Sequence, residues 1–125
     1  MKLQEADAKS LLVAQGLPVP GWAAALAAAQ AMVASGHDQQ LPPLRRVFAY
    51  LPFEHAEDRA TQRESLRLFA ALSTVDASLA DLENYARRHA EVIERFGRFP
   101  HRNAVLGRTS TPEEVEFLKQ PGSGF

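Results

Sequence analysis

The sequence predicts an all-α fold, a bundle of about five or six helices paired in antiparallel hairpins. Apolar residues recur at spacings of three and four in several stretches, which is the period of one helix face. No stretch alternates apolar and polar residues in the way that predicts a strand. The length of 125 residues and an apolar content of 46% fit one globular domain with its own core.

The N-terminal third of the chain predicts a short helix, a connector and a second helix. Residues 3–15 form the first candidate, and Gly16 ends it. Residues 17–21 read Leu-Pro-Val-Pro-Gly and predict an extended or turning connector, because a residue that precedes proline avoids the α region. The alanine-rich residues 22–35 predict the next helix, since alanine has the highest helix propensity, and Gly36 is placed to close it.

The middle of the chain predicts two helices and a proline break. After a loop at residues 37–43, the spacing of one buried helix face is found at Leu44, Val47, Phe48 and Leu51. Pro52 lacks the N–H that would bond back along the helix, so we expect a kink or break around residues 51–52. Residues 57–72 predict the following helix.

The C-terminal part of the chain predicts the most amphipathic helix and a short final one. Residues 79–96 form a single apolar stripe, which holds Leu79, Leu82, Tyr85, Ala86, His89, Val92, Ile93 and Phe96. On this stripe we expect His89 to be a hydrogen-bonded core residue rather than a ligand. Gly97 ends the helix. Thr111 can cap the last helix, with Glu114 three residues later as its capping-box partner.

Charge, cysteine content and apolar run length exclude several functional classes. The chain has no cysteine, which excludes disulfides, thiolate metal sites and thiol catalysis. A net charge of −1 argues against duplex DNA or an anionic membrane as a partner. The start carries acids where a signal peptide needs basic and then apolar residues, and the most apolar run, residues 21–33, is shorter than the roughly 20 residues of a membrane span. We therefore expect a cytoplasmic protein with no membrane or nucleic-acid partner and, without a glycine-rich phosphate loop, no cofactor.

Three blocks of sequence carry a family resemblance. They are residues 41–58 (LPPLRRVFAYLPFEHAED), residues 85–89 (YARRH) followed by residues 95–103 (RFGRFPHRN), and residues 106–114 (LGRTSTPEE). Together they resemble the bacterial family catalogued as domain of unknown function 924, over roughly residues 23–125. The resemblance implies a helical fold similar to tetratricopeptide repeats, and it implies no particular activity.

The front of the chain departs from that family, whose longer members carry a preceding helical half. Residues 1–20 are instead similar to the start of ATP-grasp ligases of the succinyl-CoA type, in a segment too short to bring a nucleotide site. A fold that lacks half its helices is expected to expose apolar surface. Either the N-terminal helix or a second copy of the chain would cover it, and we predict a homodimer.

The first polar constellation is the acidic turn after Pro52, which holds Glu54, His55, Glu57 and Asp58. A histidine beside carboxylates can act as a general base, and the same residue types can bind a divalent metal. The structural alternative is that Glu54 and His55 make buried hydrogen bonds while Asp58 caps the following helix. We favour the structural alternative and assign no metal site, because metal ligands converge from more than a single turn.

The second constellation is an arginine-histidine loop, which holds Arg98, His101, Arg102, Asn103 and Arg108. Guanidinium groups bind carboxylate or phosphate in a fork geometry, so the loop could hold a small anion. The aromatic residues between the arginines could instead stack a base of single-stranded nucleic acid, which the bulk charge does not support. The structural alternative, which we favour, pairs these arginines with the acids of the turn.

The two constellations form one site if the acidic turn and the arginine-histidine loop meet in space. The residues that would face one another are Glu54, His55 and Asp58 on one side and Arg98, His101 and Arg102 on the other. Such a site is either a structural staple or a polar pocket for a small anionic ligand. Because the sequence contains no catalytic motif, we expect a helical protein-interaction or scaffold module; the alternative is a small-anion or metal-assisted binder or enzyme that uses this cluster.

Overall fold

The computed structural model describes residues 18–125, with side chains from residue 23 onward, and all regular structure in that range is helical. This confirms the all-α class. The α-helices are α1 Pro18–Ser35, α2 Pro43–Glu54, α3 Arg59–Val75, α4 Ala80–Phe96, α5 Asn103–Leu106 and α6 Pro112–Leu118. Short 3₁₀ turns lie at His37–Gln40, Ala77–Leu79 and Pro100–Arg102. The predicted helix at residues 3–15 falls outside the described part of the chain.

Helix α1 begins at Pro18 rather than at residue 22, so the predicted connector is wrong for residues 18–21. Both prolines of this stretch lie in the first helical turn. A backbone N–H has no partner within the helix there, so proline is tolerated. Gly36 follows the helix with a φ of 79°, the left-handed conformation that glycine adopts without strain, and it ends the helix as predicted.

Helix α2 runs through Pro52 and ends at Glu54, so the predicted break at residues 51–52 is wrong. Pro52 lies in the last turn, where it removes a single backbone hydrogen bond. The turn is retained because the backbone N–H of His55 donates to the Leu51 carbonyl oxygen at 3.0 Å and Phe53 packs in the core. The consequence is that the acidic turn begins inside a helix rather than after a break.

The buried face of α2 is also turned relative to the predicted one. Val47 and Leu51 are buried as predicted, but Leu44 and Phe48 are 47% and 41% exposed. Tyr50 is buried instead, because its hydroxyl donates to a carboxylate oxygen of the buried Asp38 at 2.6 Å. The hydrogen bond satisfies both polar groups inside the core.

The core forms because each of the helices α1 to α4 packs against the next one along the chain. Buried residues at its centre are Val47, Tyr50, Leu51, Phe53, Leu68, Phe69, Leu72, Leu79 and Ala86. A second apolar cluster, which consists of Val92, Ile93 and Phe99 with Phe96, Phe117 and Phe125 packed on it, joins the end of α4 to the C-terminal segment. No helix among residues 18–125 is both long and apolar enough to cross a membrane.

Local capping fixes the helix ends that frame the polar residues. Asp58 precedes α3 and accepts a hydrogen bond from the Thr61 backbone N–H at 2.8 Å, which confirms the predicted N-cap. Gly97 ends α4 in the left-handed conformation. Thr111 and Glu114 form the predicted capping box at the start of α6.

Candidate functional site

The acidic turn and the arginine-histidine loop lie against each other. The backbone N–H of Phe99 donates to Glu57 Oε2 at 2.7 Å, and Arg102 Nη2 donates to the carbonyl oxygen of His55 at 3.0 Å. These bonds join segments that are separated by more than 40 positions in sequence. The contact between the end of α2 and the segment after α4 creates two adjacent polar groups, which differ in burial and in composition.

The first group, which we call the staple, consists of Glu57, Arg108, Asn103 and Ser110. Arg108 grips both carboxylate oxygens of Glu57, with Nη1 to Oε1 at 2.9 Å and Nη2 to Oε2 at 3.0 Å. Arg108 Nε also donates to Asn103 Oδ1 at 3.0 Å, and Asn103 Nδ2 donates to Ser110 Oγ at 3.0 Å. A bidentate arginine-carboxylate pair is geometrically specific, so the staple fixes the loop on the turn.

The electrostatics of the staple favour the ionised carboxylate. Burial of Glu57 opposes ionisation, but the hydrogen bonds from Arg108 and from the Phe99 backbone outweigh it, so the pKa of Glu57 is lowered. Arg102 lies close enough to add to this lowering through its charge. Glu57 is therefore a charged partner of the arginines at neutral pH.

Two of the predicted site residues contact other partners. Arg98 donates to Glu114 through Nε at 2.9 Å and through Nη2 at 2.7 Å, so it is paired within the C-terminal segment. Those hydrogen bonds lower the pKa of Glu114 to about 2. Asp58 is exposed and caps α3 through Thr61. Asp58 and Arg98 are thus each held by a partner outside the set that the sequence groups with them.

The second group, which we call the histidine cluster, consists of Glu54, His55 and His89. Their exposed fractions are 2%, 4% and 0%. His89 Nδ1 lies 3.3 Å from Glu54 Oε1, and the two imidazole rings meet edge to face at 5.3 Å between centroids. One ligand-type atom from each residue lies within 4.8 Å of those of the other two. Helices α2 and α4 thus bring one carboxylate and two imidazoles to a single buried point.

Backbone carbonyls orient both imidazoles of the histidine cluster. His55 Nδ1 lies 3.0 Å from the Leu51 carbonyl oxygen, and His89 Nδ1 lies 2.8 Å from the Tyr85 carbonyl oxygen. A carbonyl oxygen can only accept, so each Nδ1 carries the hydrogen. In the neutral form of each ring, Nε2 then holds the lone pair, which is the tautomer found where Nε2 binds a metal.

Aromatic rings border the histidine cluster. The ring of Phe125 stacks on His89 with centroids 3.8 Å apart, and the fully buried Phe99 meets His89 edge to face at 5.5 Å. His101 lies 5.8 Å from both phenylalanine rings. The guanidinium carbon of Arg102 lies 4.5 Å from the centroid of the Phe99 ring. These rings lower the local dielectric, which strengthens any charge interaction at the cluster.

The comparisons with known proteins place the chain in a family. Residues 22–122 match the family of bacterial proteins of unknown function called DUF924. The chain belongs to DUF924. A solved structure of a protein of unknown function from Agrobacterium tumefaciens is 41% identical, with a TM-score of 0.69, and the match covers 78% of this chain. This DUF924 chain aligns with 52% of the Agrobacterium protein, about half its length. No curated protein matches it.

The sequence of this DUF924 chain predicts that His89 lies in the core, but it does not predict that His89 meets the acidic turn. It is buried and hydrogen-bonded, as predicted for a histidine on the apolar stripe. Its position beside Glu54 follows from the packing of α4 near α2, which no local spacing reveals. The signal available in the sequence is the histidine itself, because an imidazole on an otherwise apolar face needs a polar partner from another helix.

Proposed function

We propose that the chain is a divalent-metal-binding protein and that the histidine cluster is its site. The observation that carries this proposal is the convergence of one donor atom each from Glu54, His55 and His89 within 4.8 Å of one another, all three residues being buried. Metal bonds of about 2.1 Å in a tetrahedral site hold neighbouring donors roughly 3.4 Å apart. Loading therefore draws the three side chains inward.

The donor set supports a particular class of metal and of site. Two imidazoles and one carboxylate suit Zn²⁺, Fe²⁺ and Co²⁺ better than Mg²⁺ or Ca²⁺, which prefer oxygen ligands. Three protein ligands leave at least one coordination position for water or a substrate, as in catalytic rather than structural zinc sites. The carbonyl oxygens of Leu51 and Tyr85 would hold the two rings in place as outer-shell partners.

Metal titration of the chelator-treated protein tests the proposal. Isothermal calorimetry with Co²⁺ and Zn²⁺ should give one ion per chain. The variant His89→Gln should lose that ion, because an amide replaces the imidazole donor. His37→Gln is the matched control, since His37 is an exposed histidine on a 3₁₀ turn and should leave the stoichiometry unchanged.

Two results would contradict metal binding at the histidine cluster. One is the absence of a stoichiometric ion in the folded wild-type protein, with folding verified by far-ultraviolet circular dichroism. The other is an unchanged ion content in His89→Gln. If that variant fails to fold, Glu54→Gln replaces it, because the amide keeps the shape of the side chain and removes the charged donor.

A second candidate function is self-association as a helical interaction module. Leu44 and Phe48 lie one turn apart on α2, with exposed fractions of 47% and 41%. The packing of each of α1 to α4 on the next helix supports a tetratricopeptide-repeat-like arrangement, in which successive helix pairs stack and leave a surface for partners. We propose that a second copy of the chain covers the Leu44–Phe48 face and makes a homodimer.

Light scattering over a concentration series tests the homodimer. The wild-type chain should have twice the chain mass, and the double variant Leu44→Glu/Phe48→Glu should have the monomer mass. Val75→Glu is the control, because Val75 is 61% exposed at the end of α3 rather than on the proposed face. A monomeric wild-type chain at high concentration would remove this candidate and would leave the metal proposal untouched.

A further inference from the structure

We infer that the metal-loaded histidine cluster binds a small oxyanion, a phosphate or a carboxylate, through the guanidinium of Arg102. The inference rests on the proposed metal site. It concerns an arginine that differs from its neighbours in burial and in partners.

Arg102 is held beside one of the proposed ligand residues. Its Nη2 donates to the carbonyl oxygen of His55 at 3.0 Å, and its guanidinium lies 4.5 Å from the centroid of Phe99. Phe99 in turn contacts His89. Burial lowers the pKa of Arg102 from its ordinary value, and Glu57 acts in the opposite direction. The side chain is thus fixed against the backbone of His55 and against the Phe99 ring, which in turn contacts His89.

Arg102 retains donors that the other arginines of the loop have used. Arg98 is paired with Glu114, and Arg108 holds both oxygens of Glu57. Within residues 23–125, the hydrogen bond that the Arg102 side chain makes is the one to the His55 carbonyl oxygen. A guanidinium has five N–H donors in a fork that matches a carboxylate or phosphate. Arg102 is therefore the arginine of the loop that has N–H donors left to bind an oxyanion.

Charge explains why the oxyanion and the metal should bind together. Without metal, the two carboxylates, of Glu54 and Glu57, are equal in number to the two guanidiniums, of Arg102 and Arg108, and Arg108 holds Glu57. A divalent ion adds two positive charges to this set, at a point bordered by aromatic rings. Glu57 cannot move to compensate, since Arg108 and the Phe99 backbone hold it. Uncompensated charge in a buried site is unfavourable, so an exogenous anion stabilises the loaded state.

Visible absorption of the Co²⁺-loaded protein tests the inference. Inorganic phosphate and acetate are titrated separately at fixed Co²⁺, and at least one should shift the d–d bands with saturation. The variant Arg102→Met should still bind Co²⁺ but should bind that anion about tenfold more weakly or worse, because a charge-assisted hydrogen-bond fork is lost. Arg87→Met, an exposed arginine on α4 that pairs with Glu83, is the matched control and should behave as the wild type.

The outcomes distinguish failure of the oxyanion site from failure of the metal site. If Co²⁺ does not bind, both are overturned. If Co²⁺ binds but neither anion shifts the spectrum, or if Arg102→Met keeps full anion affinity, the oxyanion site alone is overturned. If the methionine variant does not fold, Arg102→Lys keeps the charge and removes the fork, and unchanged anion binding in that variant overturns the role of the guanidinium.

Discussion

The staple and the histidine cluster originate in the same turn, yet they are different kinds of polar site. Glu57 of the staple is 20% exposed at its side chain and is held by Arg108, with which it forms a complete ion pair. Glu54 is 2% exposed, and its Oε1 lies 3.3 Å from Nδ1 of His89. Glu54 and Glu57 are thus only three positions apart in sequence, yet Glu57 is paired with an arginine and Glu54 lies beside two imidazoles.

The two groups show how one helical domain can hold a structural ion pair beside a set of potential metal ligands. Arginine keeps its positive charge over the whole accessible pH range, so its pair with a carboxylate holds segments together wherever the carboxylate is ionised. Imidazoles offer lone pairs that depend on pH and can be shared with an external ion. Variants of the two carboxylates should therefore affect different measurements, stability for the staple and metal dependence for the cluster.

Breaking the staple should have the largest effect. Glu57→Ala leaves Arg108 and the Phe99 backbone N–H without their acceptor. We expect the free energy of unfolding to fall by about 3 kcal/mol, since removal of one partner from a largely buried ion pair strands the other. Urea denaturation monitored by circular dichroism measures this change.

An exposed ion pair provides the control for the staple. Arg63 and Glu94 are 66% and 50% exposed, so Glu94→Ala should change the free energy of unfolding by less than about 1 kcal/mol. If Glu57→Ala lowers the free energy of unfolding as little as Glu94→Ala does, the staple does not stabilise the fold and does not differ from an exposed ion pair.

Metal-dependent stability should be the next largest effect, and it should reside in the histidine cluster. At free Co²⁺ one hundred times the dissociation constant, the wild-type chain should gain about 2.7 kcal/mol of unfolding free energy. Glu54→Gln should gain nothing, while its metal-free stability should lie within about 1 kcal/mol of the wild type. Denaturation with and without Co²⁺ measures both values; an equal gain in the two proteins would argue against Glu54 as a ligand.

Acidification should separate the two regions along the pH axis. Metal ligands must be deprotonated, and an imidazole is more basic than a carboxylate, so the Co²⁺-dependent gain should be lost at a higher pH than the ion pairs of the staple side. The carboxylates of the staple side have folded pKa values below their unfolded ones, that of Glu114 being about 2 rather than 4.5. The stabilisation from Glu114 is present above pH 4.5 and is lost as pH falls from 4.5 to about 2, and that from Glu57 is lost in the same direction. Coincident loss of both contributions in a denaturation series would show that the regions are not separate.

The features that the sequence predicts correctly are those set by a few neighbouring residues. Asp58 caps α3, Gly97 ends α4, and Thr111 with Glu114 forms a capping box, because each depends on hydrogen bonds within one turn. The encounter of the acidic turn with the arginine-histidine loop could also be anticipated, since buried acids need cationic partners. The particular pairs, Glu57 with Arg108 and Arg98 with Glu114, could not be predicted.

The features that the sequence misses are set by packing between helices. Phe48 has the spacing of a buried residue but is exposed, because the hydrogen bond of Tyr50 to Asp38 helps to set the rotation of α2. Pro52 does not break the helix, because it falls in the last turn. His89 joins Glu54 only through the approach of α4 to α2. A one-dimensional pattern contains the stripe on which His89 lies, but not the carboxylate that it meets.

The smallest expected effect comes from the cap of α6, and it tests whether the two regions act independently. Thr111→Ala removes the side-chain acceptor of the Glu114 backbone N–H at 3.1 Å, so the free energy of unfolding should fall by about 1 kcal/mol. The cap belongs to the segment that Arg98 and Glu114 tie down, on the staple side of the site. Calorimetry should therefore give the same Co²⁺ affinity as the wild type. A variant that loses stability as expected but also binds Co²⁺ several-fold more weakly would mean that the C-terminal segment, including the Phe125 ring stacked on His89, helps to shape the metal site.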